Sequence, residues 1–274
     1  MPIISVVMGV HNGEKTIRNA VNSILNQTFS DFEFIICDDN SCDNTQNILQ
    51  NIAKMDSRVI VLKNDVNSGL AATLNKCIEV SRGKYIARMD DDDISHSDRF
   101  AKQVEFLENN PRYAICGTRR YTFDDQGIWN TCGKSGELSK EDIISGNIFT
   151  HPSVIMRRDA LVAVGGYTVS PRTIRGQDFD LWCKMYFAGN VGYVLDEILF
   201  DYYEDRNKIK ETRFKYRWNN YRTHKLWRKK MKLPLKYDVY AYKELLAAFI
   251  PKKFLIARKK KLFKSGEITD DKKN

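Results

Sequence analysis

Asp90, Asp91, Asp92 and Asp93 form an unbroken run directly after Lys84–Met89, a strand-like stretch. Adjacent carboxylates repel one another, and a nearby positive charge stabilises their ionised forms. A hard divalent cation suits such a run, because Mg²⁺ and Mn²⁺ prefer oxygen ligands and complete their shells with water and substrate phosphates. A solvated acidic loop is the competing reading. The position after a buried-looking strand favours a ligand, since open α/β sheets bind their ligands beyond the carboxyl ends of the strands. A second acidic pair, Asp38 and Asp39, ends the apolar run Phe32–Cys37. Such carboxylates can accept a nucleobase N–H or a ribose hydroxyl, or cap the next helix. Asn67-Ser68-Gly69 opens a further helix, and helix N-termini favour anions. His151, before Pro152, is open to either a packing or a ligand role.

Elements must place these groups. Apolar strands are expected at 3–10, 32–37, 58–62 and 84–89, and helices at 14–27, 43–55, 68–81 and 97–109, with Ser41 or Asp43 as cap of the second helix. This alternation predicts βαβ units around a mostly parallel, Rossmann-like α/β sheet flanked by helices. Beyond 112 the pattern loosens. Strands are expected at 113–116, 120–123 and 151–157 and one or two within 191–203, with a turn at 124–127 and helices at 158–164 and 177–188. Two strand ends carry aspartates, so the pairs at 38–39 and 90–93 can meet in one crevice.

The charge is divided unevenly along the 274 residues. Residues 206–274 hold 23 Lys and Arg against 6 Asp and Glu, a net +17, whereas residues 1–205 hold 21 against 29, a net −8. The expected organisation is therefore a mildly acidic domain, 1–205, and a basic, helical, aromatic extension, 206–274, whose last ten or so residues are disordered. A strongly basic segment calls for a polyanion or an anionic membrane surface. Six cysteines show neither a CxxC pair nor zinc spacing and read as reduced, mostly packed thiols. Met1–Met8 leads straight into a strand without signal-peptide features, and no run is long and apolar enough to span a bilayer. The expected location is cytoplasmic.

Taken in order, SVVMGVHNGEKTI, SILNQTF, CDDNSCDNT, NSGLAATLN, GKYIARMDDDDIS, HPSVIMRRDAL, VGGY and QDFDLW resemble glycosyltransferase family 2, over about residues 2–203. That family is inverting, has a GT-A fold and uses nucleotide sugars, which implies a nucleotide-sugar-binding half at 1–112 and an acceptor-binding half at 113–205. The resemblance implies that Gly9, Val10 and His11 form the loop that meets a uracil, with His11 in the place of a frequent Tyr. Asp39, with Asp38 beside it, matches the uracil-recognising aspartate, and Asn67 and Gly69 lie near the nucleotide. Asp90 and Asp92 match the DXD motif, with Asp91 in its variable position: Asp90 faces the sugar and ribose, and Asp92 binds the Mn²⁺ or Mg²⁺ that bridges the diphosphate. His151 falls near the donor, and Asp178 matches the acceptor-side base. Gln177 departs from the family's usual Glu, which bears on acceptor hydrogen bonding. Lys215-Tyr216-Arg217-Trp218 lacks the Gln of the processive Gln-x-x-Arg-Trp motif, so single additions are expected.

The chain so read transfers a hexose or N-acetylhexosamine from a UDP-sugar to a lipid-linked or oligosaccharide acceptor in bacterial surface polysaccharide synthesis. Its basic extension would hold it peripherally on the inner face of the plasma membrane. Two other classes compete. A nucleotidyltransferase would carry a Gly-rich, cationic loop after the first strand, and His11-Asn12-Gly13-Glu14 is not one. A nucleic-acid-binding protein would use the basic extension, but the acidic 1–205 segment repels a phosphate backbone, and nucleic acid is not expected as a partner.

Overall fold

The computed structural model describes residues 1–146, 149–208, 214–250 and residue 254. The lysine run at 259–261 and the final ten residues, expected to be disordered, lie outside the described residues.

The first half alternates as its periodicity predicts: β1 (Ile4–Val10), α1 (Ile17–Leu25), β2 (Phe32–Asp38), α2 (Thr45–Met55), β3 (Val59–Lys63), α3 (Leu70–Val80) and β4 (Tyr85–Arg88). Then follow β5 (Ile94–Ser95), α4 (Arg99–Asn109), β6 (Tyr113–Asp124), β7 (Gly127–Cys132), β8 (Gly136–Leu138) and α5 (Lys140–Ser145). β9 (Ile155–Arg157), α6 (Arg158–Ala163), α7 (Gln177–Phe187) and β10 (Val191–Tyr203) complete the sheet and its flanking helices, and α8 (Phe214–Lys230) and α9 (Asp238–Leu246) follow it.

One sheet runs β3-β2-β1-β4-β9-β6-β10-β5, with β7 on β6 and β8 on β10. The four strands β3, β2, β1 and β4 are all parallel. Beyond them the sheet is mixed: β9 is antiparallel to both β4 and β6, while β10 is parallel to β6. Strands buried on both faces need apolar side chains on both, which is why β1 and β2 read as continuous apolar runs. Ile4, Val6 and Met8 pack on one side with α1, α2 and α4. Val7 packs on the other with Leu74 and Cys77 of α3 and Trp182 of α7.

Three local expectations change. Residues 151–157 are not one strand: His151–Ser153 form a 3₁₀ turn, and β9 begins at Ile155. Pro152 lacks the N–H a central strand needs, and its fixed φ suits the turn. The runs at 113–116 and 120–123 merge into β6, and 124–127 is the turn into β7. Neither Ser41 nor Asp43 is the N-cap residue of α2, which is Asn44; Asp43 instead accepts the Thr45 N–H at 3.0 Å.

The segment after 206 shares the core of the α/β part. Trp227, Met231 and Leu233 belong to the same apolar cluster as Trp182, and the Trp227 indole donates to Asp180 Oδ1 at 2.8 Å. No helix among the described residues is long and apolar enough to cross a membrane.

Candidate active site

The ends of β2, β1 and β4 lie side by side on neighbouring parallel strands. β1 leads into His11 and Asn12, the latter at φ 58, a left-handed conformation that Asn tolerates better than most residues. His11 is exposed, and its Nδ1 lies 2.9 Å from the Asp39 backbone oxygen. Its ring therefore stands at the mouth of the crevice between the ends of β1 and β2. Cys42, also exposed, closes the same rim, its N–H donating to Asn12 Oδ1 at 2.9 Å.

Asp38 and Asp39 have different environments. Asp38 has no exposed surface, and its Oδ1 accepts the Ser41 N–H at 3.0 Å together with the Ser41 hydroxyl. It braces the turn after β2 through Oδ1, and its buried Oδ2 has no hydrogen-bond partner among the described residues. Asp39 Oδ1 accepts from Asn64 Nδ2 and Ser68 N, each at 2.8 Å, and Oδ2 accepts from Gly69 N at 2.9 Å. Burial opposes its charge, but these hydrogen bonds prevail and hold the carboxyl below the usual range. Asp39 thus pins the N-terminus of α3, where Gly69 supplies φ 82, against the end of β2. Asn67 lies exposed on that loop.

The acidic run leaves β4 against a buried cation. Arg88 is wholly buried and donates to the Met89 carbonyl and to Asp90 Oδ1. Burial, then the charges of Asp92 and Asp90, push Asp91 up to about 7. Asp93 is fully buried; its Oδ1 accepts the Tyr203 N–H at 2.7 Å, and its Oδ2 has no partner. A Cβ on Gly13 would meet Asp91 Oδ2 at 2.5 Å, so the glycine lets the β1 turn close on the acidic run. Such an all-oxygen cluster, with more carboxylates than the Arg88 guanidinium alone offsets, fits Mn²⁺ or Mg²⁺. Among the described residues no three carboxylate, His or Cys groups form a closed ligand set.

A cavity of about 750 Å³ joins the second half of the chain to this run. Asp90, Asp91, Asp92, His151, Gln177 and Asp178 line it, with Arg120, Lys134 and Arg175. Asp178 stands in the first turn of α7, where its Oδ1 accepts the Phe179 N–H at 2.8 Å. Burial raises its carboxyl above the usual value, with the Phe179 hydrogen bond in partial opposition. His151 is buried, with Nε2 2.7 Å from the Tyr167 hydroxyl. Burial, then the charge of Arg88, lower it to about 3, so it is neutral near pH 7. A second cavity of about 560 Å³ adjoins the first at Leu70, Arg175 and Gln177 and is also lined by Gly69.

The structure therefore gathers Asp90, Asp91, Asp92, His151 and Asp178 around one space. Gly69 lies at the adjoining one, and Gly9, Val10, His11, Asp38, Asp39 and Asn67 line neither. Gly9 packs beneath α3, where a Cβ would lie 3.0 Å from Thr73 Cγ2 and 3.1 Å from Leu70 Cδ1. Sequence reasoning missed Arg88, Arg120 and Arg175. Arg88 was visible only as a charge inside an apolar run.

Over residues 5–165 the chain matches the family model described as Glycosyl transferase family 2. The chain belongs to that family. This glycosyltransferase is 36% identical over 251 residues to the Bacillus subtilis protein EpsE, which bears a glycosyltransferase name, covering 91% of this chain and 90% of that one. It is 37% identical over 190 residues to WfaP of Escherichia coli, covering 69% and 72%. WfaP is named a UDP-Glc:alpha-D-GlcNAc-diphosphoundecaprenol beta-1,3-glucosyltransferase. Among solved structures, S. aureus TarS 1–349 in complex with UDP-GlcNAc superposes with a TM-score of 0.67 at 18% identity, over 89% of this chain and 70% of TarS. That likeness establishes the shared fold, a central sheet flanked by helices of the GT-A kind.

Proposed function

We propose that this glycosyltransferase is metal dependent and inverting, and that it moves a hexose or N-acetylhexosamine from a UDP-sugar to a lipid-linked glycan, one sugar at a time. The observation that carries this reading is the single cavity shared by Asp90, Asp91 and Asp92 at one wall and Asp178 at another. Asp92, with Asp90, would hold Mn²⁺ or Mg²⁺, which when bound supplies Lewis-acid neutralisation of a leaving diphosphate. Arg88 fixes the Asp90 carboxylate. Asp178 takes the proton from an acceptor hydroxyl as its oxygen attacks the anomeric carbon, and the diphosphate departs from the opposite face. An α-linked donor then yields a β-linked product, without a covalent intermediate. His151, neutral and bonded to Tyr167, contributes a fixed dipole to the cavity wall rather than a charge. UDP as the nucleotide is supported by the donors named for WfaP and the TarS complex, and a lipid-linked acceptor by the name of WfaP.

The extension supports action at an anionic bilayer. Trp218, Leu235, Val239, Leu246 and Phe249 are exposed on it, among many lysines and arginines. Aromatic and aliphatic side chains interleaved with basic ones suit an interface, and each cation near an anionic leaflet contributes about 1 kcal/mol.

A panel of UDP-sugars incubated with the full chain and Mn²⁺ tests the donor reading. Slow release of UDP from one or two of them, abolished by chelation, is expected. Release of pyrophosphate from nucleoside triphosphates instead would make the chain a nucleotidyltransferase.

A further inference from the structure

The smaller cavity differs in chemistry from the one holding the aspartates. Leu70, Ala71, Val169, Pro171 and Ile174 give it a mainly apolar wall. Val169 is 60% exposed and Ile174 46% exposed, so two aliphatic side chains face an open trough without cover. The trough meets the catalytic cavity at Arg175. Arg175 is exposed, forms no ion pair among the described residues, and has φ 68, a conformation that side chains other than Gly adopt rarely. From Asp178 outward the order is therefore a polar chamber, a single arginine, then an apolar trough.

The loop carrying this wall rests on the extension. The Pro171 carbonyl accepts from Asn219 Nδ2 at 2.7 Å, and Arg172 donates to the Thr223 hydroxyl at 3.0 Å. Both partners lie on α8, the helix that also exposes Trp218. The trough thus adjoins the element suited to a bilayer surface.

We infer that the trough seats the phosphate-proximal part of a polyprenyl chain and that Arg175 reads the phosphate linking that chain to the acceptor sugar. The inference rests on the lipid-linked reading above and extends it to named residues. Polar sugar, anionic linker and branched hydrocarbon follow one another in such an acceptor as chamber, arginine and trough do in the protein. The guanidinium is suited to phosphate because its planar fork of donors matches phosphate oxygens. A nucleobase is the other occupant of comparable size; Ser68, Gly69, Ser170 and Thr173 also border the trough, but Asp38, Asp39 and His11 do not line it, and the uncovered Val169 and Ile174 suit hydrocarbon better than a base.

Calorimetry on the full chain with Mn²⁺ and saturating UDP tests this, using farnesyl diphosphate against isopentenyl diphosphate and inorganic diphosphate. Farnesyl diphosphate is expected to bind at least tenfold tighter than either. Ile174→Asp and Arg175→Gln are each expected to weaken it at least fivefold, with UDP affinity unchanged in Ile174→Asp. Equal affinities for the three diphosphates, or wild-type binding by both variants, overturn the inference while leaving UDP binding intact. Binding of farnesyl diphosphate only when UDP is left out also overturns it, because the trough would then hold the nucleotide. If UDP itself fails to bind in Mn²⁺, the donor reading falls and this one with it.

Discussion

A general base needs a proton affinity above that of an ordinary carboxylate, and burial gives Asp178 one. Its ionised form is the working form, so transfer is expected to fall as pH drops through a value higher than the usual Asp value of about 3.9. A pH profile of kcat/KM measures that limb. The same shift has a stability sign. A carboxyl whose folded-state pKa is raised stabilises the fold only while protonated, and that contribution is lost as pH rises through the folded value. Asp178→Asn is therefore expected to lower transfer by about 10²–10⁴-fold while raising Tm near pH 7, and the Tm gain should vanish in acid. Transfer within a few-fold of wild type would remove Asp178 from its role. Arg88 is the opposite case. It is a buried cation bonded to the partly exposed Asp90 and near the buried Asp93, and removing one partner of a buried set costs about 3–5 kcal/mol. Arg88→Met is expected to show that loss as a lower urea midpoint. The aspartates were legible in the sequence because a DXD-like run and a Gln-Asp at a helix start are local patterns. The cation beneath them was not, because the partner of a strand arginine depends on the sheet face it occupies.

The elements that bring these groups together depend on close backbone approach. Gly83 ends the turn into β4, and a Cβ there would meet Ser5 N at 2.5 Å and the Ile4 carbonyl carbon at 2.7 Å. Both are backbone atoms of β1 or its neighbour, so Gly83→Ala is expected to destabilise by about 1–3 kcal/mol, measurable in the same urea titration. Asp39→Ala removes the acceptors for Asn64, Ser68 and Gly69, freeing the start of α3. UDP affinity is expected to fall at least tenfold by calorimetry, and unchanged affinity would place the nucleotide elsewhere. The parallel half of the sheet could be read from sequence because each strand there is a long apolar run followed by an amphipathic helix. The mixed half was legible only in part: β6 and β10 fall on runs expected as strands, and β9 on the end of one, but the short strands β5 and β8 and the pairing do not. β5, β8 and β9 have two or three residues each, too few for a periodicity, and their direction is set by pairing with β4, β6 and β10. The 3₁₀ turn at His151 was hidden for the same reason.

At the scale of the molecule, an acidic catalytic unit and a basic extension are joined through a common core rather than by a tether. Trp227 sits among the side chains that support α7, the helix bearing Asp178. A chain ending at 205 would lose that support, so binding to membranes is better tested by surface substitution. Leu246 is 65% exposed and Phe249 75% exposed, and replacing both with Asp should leave the fold intact. The wild-type chain is expected to float with phosphatidylglycerol vesicles, less so at high salt, and the double variant to remain at the bottom of the gradient. Equal flotation of the two would exclude this face from the contact.

The rim thiol of Cys42 opens a practical route into all of these measurements. Four of the other five cysteines are buried and the fifth, Cys132, is only partly accessible. Brief treatment with a maleimide dye should therefore mark Cys42 first, beside the His11 ring, giving an optical reporter whose brightness changes when a nucleotide docks.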